Sequence, residues 1–335
     1  MLIKENASLK EFNTFNIDQT ADIFIEIDNT NEILKFLENK NLTNNLFILG
    51  GGSNILFTRK YHGTILHIKE EDIRVIEEDE KNVLVEVASG TNWHYFVEWA
   101  IKHNYGGIEN LSLIPGNVGA APIQNIGAYG VELKDSFYSC LGVSLDNFEI
   151  KELKKSDCEF DYRSSIFKSK LKNRFIITSV KFILSKTNHN FVIDYKGLKD
   201  NLLNTELSLE KISNEVIRIR KSKLPDFKIY GNCGSFFKNP IISVDHYNSL
   251  RDKYGEIPKF KIDNYKIKIP AAWLIDKCEF KNKSDKNVGV YKNQSLVIIN
   301  FGNASGKEIL NFAMKIKETV NKTFNIDLEE EVIIL

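Results

Sequence analysis

The feature that most constrains this chain is a run of 27 residues, Gly106 to Glu132 (GGIENLSLIPGNVGAAPIQNIGAYGVE), which fits neither helical nor strand periodicity. Six of the chain's 19 glycines and two of its 6 prolines fall there, and no lysine or arginine does. Glycine admits positive φ and close approach to the backbone, while proline fixes turns. Such a run, interleaved with small and apolar residues, reads as backbone shaped around a large flat group. Gln124 and Asn125 add the amide donors and acceptors that the edge of a flavin or nucleobase requires. The competing reading is a tightly turned buried loop with structural work only.

At 335 residues the chain has room for two or three domains. Lysine plus arginine balance aspartate plus glutamate at 45 each, which argues against a general nucleic-acid surface and leaves room for a local cationic pocket. The opening MLIKENASLKEF lacks the apolar core of a signal peptide, and no apolar run approaches the ~18 residues of a membrane span. A cytoplasmic protein without a membrane partner is therefore expected. Cys140, Cys158, Cys233 and Cys278 lack CxxC spacing and read as free thiols of a reducing compartment. The six histidines form neither HxH nor HExxH, so no metal site is expected.

Residues to about 67 read as a small α/β unit. The spacing of Ile33, Leu34, Phe36 and Leu37 predicts a helix over 31–41, and Leu46–Leu49 a buried strand entering Gly50, Gly51, Gly52, Ser53 and Asn54. A glycine cluster after a strand suggests the dinucleotide fingerprint, but in that motif a helix follows. Here Ile55–Leu56–Phe57 is short, apolar and strand-like, so the Rossmann reading fails. What remains is a turn whose successive N–H groups can hold a pyrophosphate. Further on, Val83–Val87 alternates as a strand, and Trp93, Phe96, Val97, Ala100 and Ile101 predict a helix over 92–102. Strands are expected around 140–145 and 174–184. Between them lies Asp161–Tyr162–Arg163–Ser164–Ser165, where an arginine beside small polar residues is ordinarily solvated.

A helix over 209–221 leads through Lys223 and Pro225 into a third region. Gly231–Asn232–Cys233–Gly234–Ser235–Phe236–Phe237–Lys238–Asn239–Pro240 is its unusual stretch, a tight turn entering apolar surroundings. The bland alternative for Ser235 is a turn serine bonded to its own backbone. A short helix over 271–278, a strand over 295–300 and a helix from Ser305 to about Phe324 follow, the last opened by the capping-box pair Ser305 and Glu308. In the extended tail Glu329 and Glu331 share one face, Glu330 takes the other, and the apolar end is expected to pair in a sheet.

Taken in order, these stretches resemble the bacterial UDP-N-acetylenolpyruvoylglucosamine reductases from Asn13–Thr14–Phe15 to Glu331. The matching motifs are Leu49 to Asn54, Ile114–Pro115–Gly116 to Gly130, Tyr162–Arg163 with Ser165, and Gly231 to Pro240. The resemblance implies an α+β flavoenzyme with a two-part FAD-binding domain of the vanillyl-alcohol-oxidase (PCMH) type, residues 1–67 and 68–218. A C-terminal α/β domain, 219–335, would bind the UDP-sugar. FAD would be noncovalent, since the turn from Gly50 to Phe57 offers neither histidine nor cysteine for attachment. Its pyrophosphate would lie on Gly50, Gly51, Gly52, Ser53 and Asn54. Its flavin would meet Ile114, Pro115, Gly116, Gly119, Ala121, Gln124, Asn125, Ile126 and Gly127, with Arg220.

The implied reaction uses NADPH to reduce UDP-N-acetylglucosamine enolpyruvate to UDP-N-acetylmuramate, a peptidoglycan precursor. NADPH and substrate would occupy one cleft in turn, in a monomer. Three residues match the family's catalytic positions. Arg163 would stabilise the charge that spreads into the substrate carboxylate. Ser235 would give the final proton; Glu331 would act protonated or anchor another group, because a carboxylate there would repel the developing negative charge, and the family's role for it is to stabilise the enol. Tyr195, in Asp194–Tyr195–Lys196–Gly197–Leu198, matches the tyrosine that covers the nucleotide; Lys223, Asn239, Lys281 and Gln294 match positions that reach the UDP. The chain departs from the family at Ala120–Ala121, where hydroxyls are frequent, at Asn282, where glycine is usual, and at Glu330 and Ile333, where proline and arginine are common. Two other classes compete with the enzyme: a catalytically silent flavin- or UDP-sugar-binding relative, and an FAD oxidase of the same fold.

Overall fold

The computed structural model describes every residue except 30, 40, 41, 44 and 204. The chain forms two compact units. One comprises Met1–Ala7, Ala21–Gly52 and Tyr61–Arg220; the other comprises Ser8–Thr20, Ser53–Lys60 and Lys221–Leu335. Residues 8–20 and 53–60 thus lie inside the expected 1–67 part by sequence but group with the C-terminal residues.

In the first unit a four-stranded sheet runs in the order Leu2–Ser8, Thr20–Ile27, Tyr61–Ile68, Leu46–Leu49, with the last three strands parallel. Helix α1, Asn31–Glu38, seals it with Ile33, Phe36 and Leu37 against Ile25, Ile27, Leu66 and Ile68. Leu34, expected on that buried face, is exposed; the last two positions of the expected helix, Lys40 and Asn41, lie outside the described residues. A five-stranded antiparallel sheet follows, in the order Ile150–Lys154, Phe137–Ser144, Phe175–Ser185, Asn82–Ala88, Ile73–Glu78. Helix α2, Trp93–Lys102, starts where the Asn92 side chain accepts the Tyr95 N–H, and buries Trp93, Phe96, Val97 and Ala100 beside Val83, Val85 and Phe182. Ile101 is only half-buried. The short α3, Leu133–Ser136, is followed by α4, Lys196–Leu202, and α5, Leu209–Lys223, which share an apolar cluster of Leu198, Leu202, Ile212, Val216 and Ile219.

The second unit contains α6, Val244–Tyr254, α7, Ala271–Lys277, and α8, Gly306–Phe324, with two three-stranded sheets. The capping box on α8 is present as expected: Ser305 accepts the Glu308 N–H, and Glu308 accepts the Ser305 N–H. Gly306 is required there, since a Cβ would lie 1.9 Å from the Phe57 carbonyl oxygen. The Asn13–Thr14–Phe15 motif packs on Gly231–Asn232. Asn232 N–H donates to the Thr14 carbonyl at 2.9 Å, the Thr14 hydroxyl returns a bond to the Asn232 carbonyl at 2.6 Å, and the Asn300 side chain donates to the Phe15 carbonyl at 2.8 Å. The tail pairs as anticipated: Ile333–Ile334 runs parallel to Ile55–Leu56. The strand expected over 295–300 is confined to Ile298–Asn300. Among the described residues no helix is long and apolar enough to cross a membrane.

Candidate active site

The aperiodic run 106–132 folds in the first unit as two 3₁₀ turns, Glu109–Leu111 and Val118–Gln124, and a strand pair, Gly127–Ala128 with Val131–Glu132. Its backbone is tied to the start of α2: Val118 N–H donates to Thr91, Gly119 N–H to Ser89, and Trp93 N–H to Gly116, each at 2.9 Å. The fully buried Asn110 side chain donates to the carbonyls of Tyr129 (2.9 Å) and Val192 (2.8 Å). Leu113, Asn125 and Tyr129 all have positive φ, at 59°, 43° and 50°, as does Arg163 at 52°. Left-handed non-glycine residues gather where surrounding structure enforces them, and sites are where such strain collects.

The glycine turn lies against this run. A Cβ on Gly51 would meet the Gly116 Cα at 2.8 Å, and one on Gly50 the Ala120 Cβ at 3.0 Å. The fold therefore brings together two motifs far apart in sequence; the close approach excludes a side chain at 51 and leaves 50 tight against Ala120. Asn125 proves to be used within the protein. Its Nδ2 donates to Glu132 Oε2 (3.0 Å) and the Asp161 carbonyl (3.2 Å), and its Oδ1 accepts the Lys134 N–H (3.0 Å).

Two guanidinium groups converge here. Arg163 Nη2 donates to the Gly127 carbonyl at 2.7 Å, and its guanidinium lies over the Tyr162 ring at 5.9 Å. Ser165 braces this turn, its buried hydroxyl donating to the Ile123 carbonyl at 2.6 Å. Among the described residues the buried Nε of Arg220 has no hydrogen-bond partner. Burial pushes its pKa down, the Arg163 charge pushes it further, and Tyr129 partly opposes them; none of these influences is a carboxylate. Tyr129 has its own pKa raised by burial and meets Tyr195 edge-on, with ring centroids 5.1 Å apart. Two neighbouring cations, Arg220 with a buried donor left unmatched among the described residues, make a place for an anionic or electron-rich group. Tyr129 is the participant that sequence reasoning missed; its signal was an aromatic held between Gly127 and Gly130 inside the aperiodic run.

In the second unit Ser235 follows Gly234, which has φ 73°. Among the described residues the Ser235 hydroxyl has no hydrogen-bond partner, so the turn-serine reading does not hold. Instead the turn is tied by Asn232, whose Oδ1 accepts the Gly234 N–H at 3.0 Å. Glu331 N–H donates to the Phe236 carbonyl at 2.8 Å, which sets Glu331 one residue from Ser235 across a strand pair. The Cys233 thiol is pushed up, first by burial and then by the Glu331 charge. Asn239 Oδ1 accepts the Ala271 N–H at 2.9 Å, at the start of α7. Lys223 and Lys281 are exposed, and Gln294 is half-buried. Asn282 has φ 57°, which explains the residue type: asparagine is the side chain that best tolerates a conformation otherwise left to glycine.

Residues 226–335 match the family described as UDP-N-acetylenolpyruvoylglucosamine reductase, C-terminal domain, and residues 21–145 the family described as FAD binding domain. A relative from Flavobacterium johnsoniae named UDP-N-acetylenolpyruvoylglucosamine reductase is 46% identical over 336 residues, covering 99% of each chain. Another of that name, from Amoebophilus asiaticus, is 42% identical over the full length of both. The fold is shared with the crystal structure of the Thermus caldophilus reductase (TM-score 0.70, 18% identity, 99% of each chain).

Proposed function

The chain belongs to the UDP-N-acetylenolpyruvoylglucosamine reductase family, an FAD-dependent oxidoreductase family, and from that premise we propose that it reduces UDP-N-acetylglucosamine enolpyruvate to UDP-N-acetylmuramate with NADPH as electron donor. The observation that carries the reading is Arg220: beside Arg163, its buried guanidinium Nε has no hydrogen-bond partner among the described residues, and an electron-rich ligand such as the flavin would complete it. The residues present fit FAD. The backbone of 114–127 and Arg220 would hold its ring system, and the turn from Gly50 to Asn54 its pyrophosphate. Bound noncovalently, FAD would supply the hydride that NADPH provides.

The chain's own residues do the rest. Arg163 faces the substrate carboxylate and stabilises charge as it develops there, a contribution greatest where water is excluded. Glu331, which matches the family's position for stabilising the enol, would support that developing charge. Ser235 hands its proton to the carbon next to that carboxylate; a serine is a weak acid, and a carbanion-like centre is a base strong enough to take the proton. Asn239, with its Oδ1 held by α7, would donate to the UDP through Nδ2, beside Lys223, Lys281 and Gln294. Tyr195, 41% exposed at the start of α4, would fold over the nucleotide.

The test is an anaerobic visible spectrum of the purified protein, taken alone, after NADPH, and after UDP-N-acetylglucosamine enolpyruvate. Flavin absorbance that bleaches with NADPH and returns with the enolpyruvyl sugar is the expected result. Bleaching without recovery refutes the substrate, and recovery only with oxygen identifies an oxidase.

A further inference from the structure

The segment that carries Glu331 is held by ion pairs on two sides. Residues 329–331 run antiparallel to 236–238: Phe237 stands opposite Glu330, and the Lys238 N–H donates to the Glu329 carbonyl at 2.9 Å. Strand alternation sends successive side chains to opposite faces. Glu329 accordingly pairs with Lys238, its neighbour in register, while Glu330 turns the other way and meets Lys317 of α8. Lys317 Nζ reaches both carboxylate oxygens, at 2.9 and 3.2 Å. The two pairs differ in enclosure. In the first, Lys238 is 16% exposed but Glu329 is 70% exposed; in the second both partners are sheltered, Lys317 at 26% and Glu330 at 21%. An exposed pair contributes little; a pair sheltered this far leaves a poorly solvated charge behind if one partner is removed.

We infer that Lys317 is a positioning residue for Glu331: by gripping Glu330 it fixes the peptide that enters Glu331 to a rigid helix. The helix is suited to the task. Its first turn is closed by the Ser305–Glu308 capping box, and Ile309, Phe312, Ala313, Ile316 and Val320 bury its inner face. The backbone bond from Glu331 to Phe236 fixes the height of the segment, and the Asn54 side chain reaches the Glu331 carbonyl at 3.1 Å. Neither grips a side chain next to Glu331; the Lys317 pair does. Glu330 is itself a departure from the family pattern, and Lys317 is the cation that gives it work. The inference rests on the catalytic reading of Glu331.

The experiment measures steady-state turnover of the full-length, FAD-loaded protein as Lys317→Met, Lys317→Arg, Glu330→Gln, Glu331→Gln and the Lys317→Met/Glu331→Gln double variant. Lys317→Met is expected to lower kcat about tenfold, with KM for the enolpyruvyl sugar moved by less than about twofold, because a displaced group costs rate rather than affinity. Lys317→Arg should recover most of that loss, and Glu330→Gln should reproduce it. On the Glu331→Gln background Lys317→Met should cost nothing further. Amide hydrogen exchange across 329–333 should quicken in Lys317→Met. An equal loss on both backgrounds overturns the inference and makes Lys317 merely structural, as does a kcat unchanged by Lys317→Met. If Lys317→Met does not fold, Glu330→Gln is combined with Glu331→Gln and read in the same way. Full turnover in Glu331→Gln alone refutes the reading of Glu331 itself, and the inference falls with it, visibly from that one variant.

Discussion

Ser165 and Ser235 belong to the same set of motifs, yet their hydroxyls are placed differently. Ser165 is buried and bonded to Ile123, whereas Ser235 is half-buried and, among the described residues, bonded to nothing. A hydroxyl without a protein acceptor can turn toward a substrate atom, so Ser235→Ala is expected to lower turnover by about a hundredfold or more, the scale of a lost general acid. Bleaching of the flavin by NADPH should be unaffected, and full turnover in the variant removes Ser235 from the chemistry. Arg220 permits a prediction of opposite signs. With its pKa pushed down by burial and by Arg163, its charge is uncomfortable in the protein without a ligand. Arg220→Met should therefore leave the melting temperature of the flavin-free protein unchanged or higher, while weakening FAD retention at least about tenfold. Thermal melts with and without FAD, together with flavin titration, check both signs; a lower flavin-free melting temperature would make Arg220 a structural cation.

At the scale of single elements, what could be read from sequence tracks how local the cause is. The α8 capping box is written in four consecutive residues and formed as read. Its pH dependence has a definite sign. The Ser305 backbone N–H holds the Glu308 carboxyl below its usual pKa. A carboxyl lowered on folding stabilises above its unfolded value, about 4.3, and that contribution is lost as pH falls through the folded value. The melting-temperature advantage of the native protein over Glu308→Gln should shrink on acidification below about pH 4.3; a constant gap would exclude the box as its source. By contrast, the run 106–132 gave no period because its shape is set by distant partners. Ser89 and Thr91 hold its middle, and Asn110 joins it to Val192. Its glycines and prolines announced a special backbone, but nothing local announced that Asn125 would be spent on Glu132, Lys134 and Asp161. Cys140 and Cys158 teach the same lesson: 18 residues apart and without motif spacing, they are buried in one core as free thiols that influence each other, and the neighbouring Cys158 together with burial pushes the Cys140 thiol up.

For the whole molecule, the order of the chain and the membership of its units diverge. The resemblance read from Asn13–Thr14–Phe15 has a physical basis that no local pattern carries: a Cβ on Gly231 would lie 2.2 Å from the Phe15 carbonyl oxygen, so that turn is moulded on a residue more than two hundred positions earlier. The Ile55–Leu56 strand does the same for the tail, pairing Ile333–Ile334, while Thr58 N–H donates to the Leu335 carbonyl at 2.7 Å. Phe15, Ile55, Leu56 and Phe57 are all buried. Each is worth about 1.5–3 kcal/mol when buried, so the four together contribute about 6–12 kcal/mol, with area-based sums erring high. That is the size of a whole domain's net stability, about 5–15 kcal/mol. A fragment of residues 221–335 should therefore fail to fold alone, even though the family match to its 226–335 stretch suggests a self-contained domain. Amide dispersion in a proton–nitrogen correlation spectrum is the check. Collapsed dispersion that sharpens when residues 8–20 and 53–60 are joined to the fragment through flexible linkers would establish that these segments complete it. A well-dispersed spectrum from 221–335 alone would mean that α6, α7 and α8 carry enough core without them.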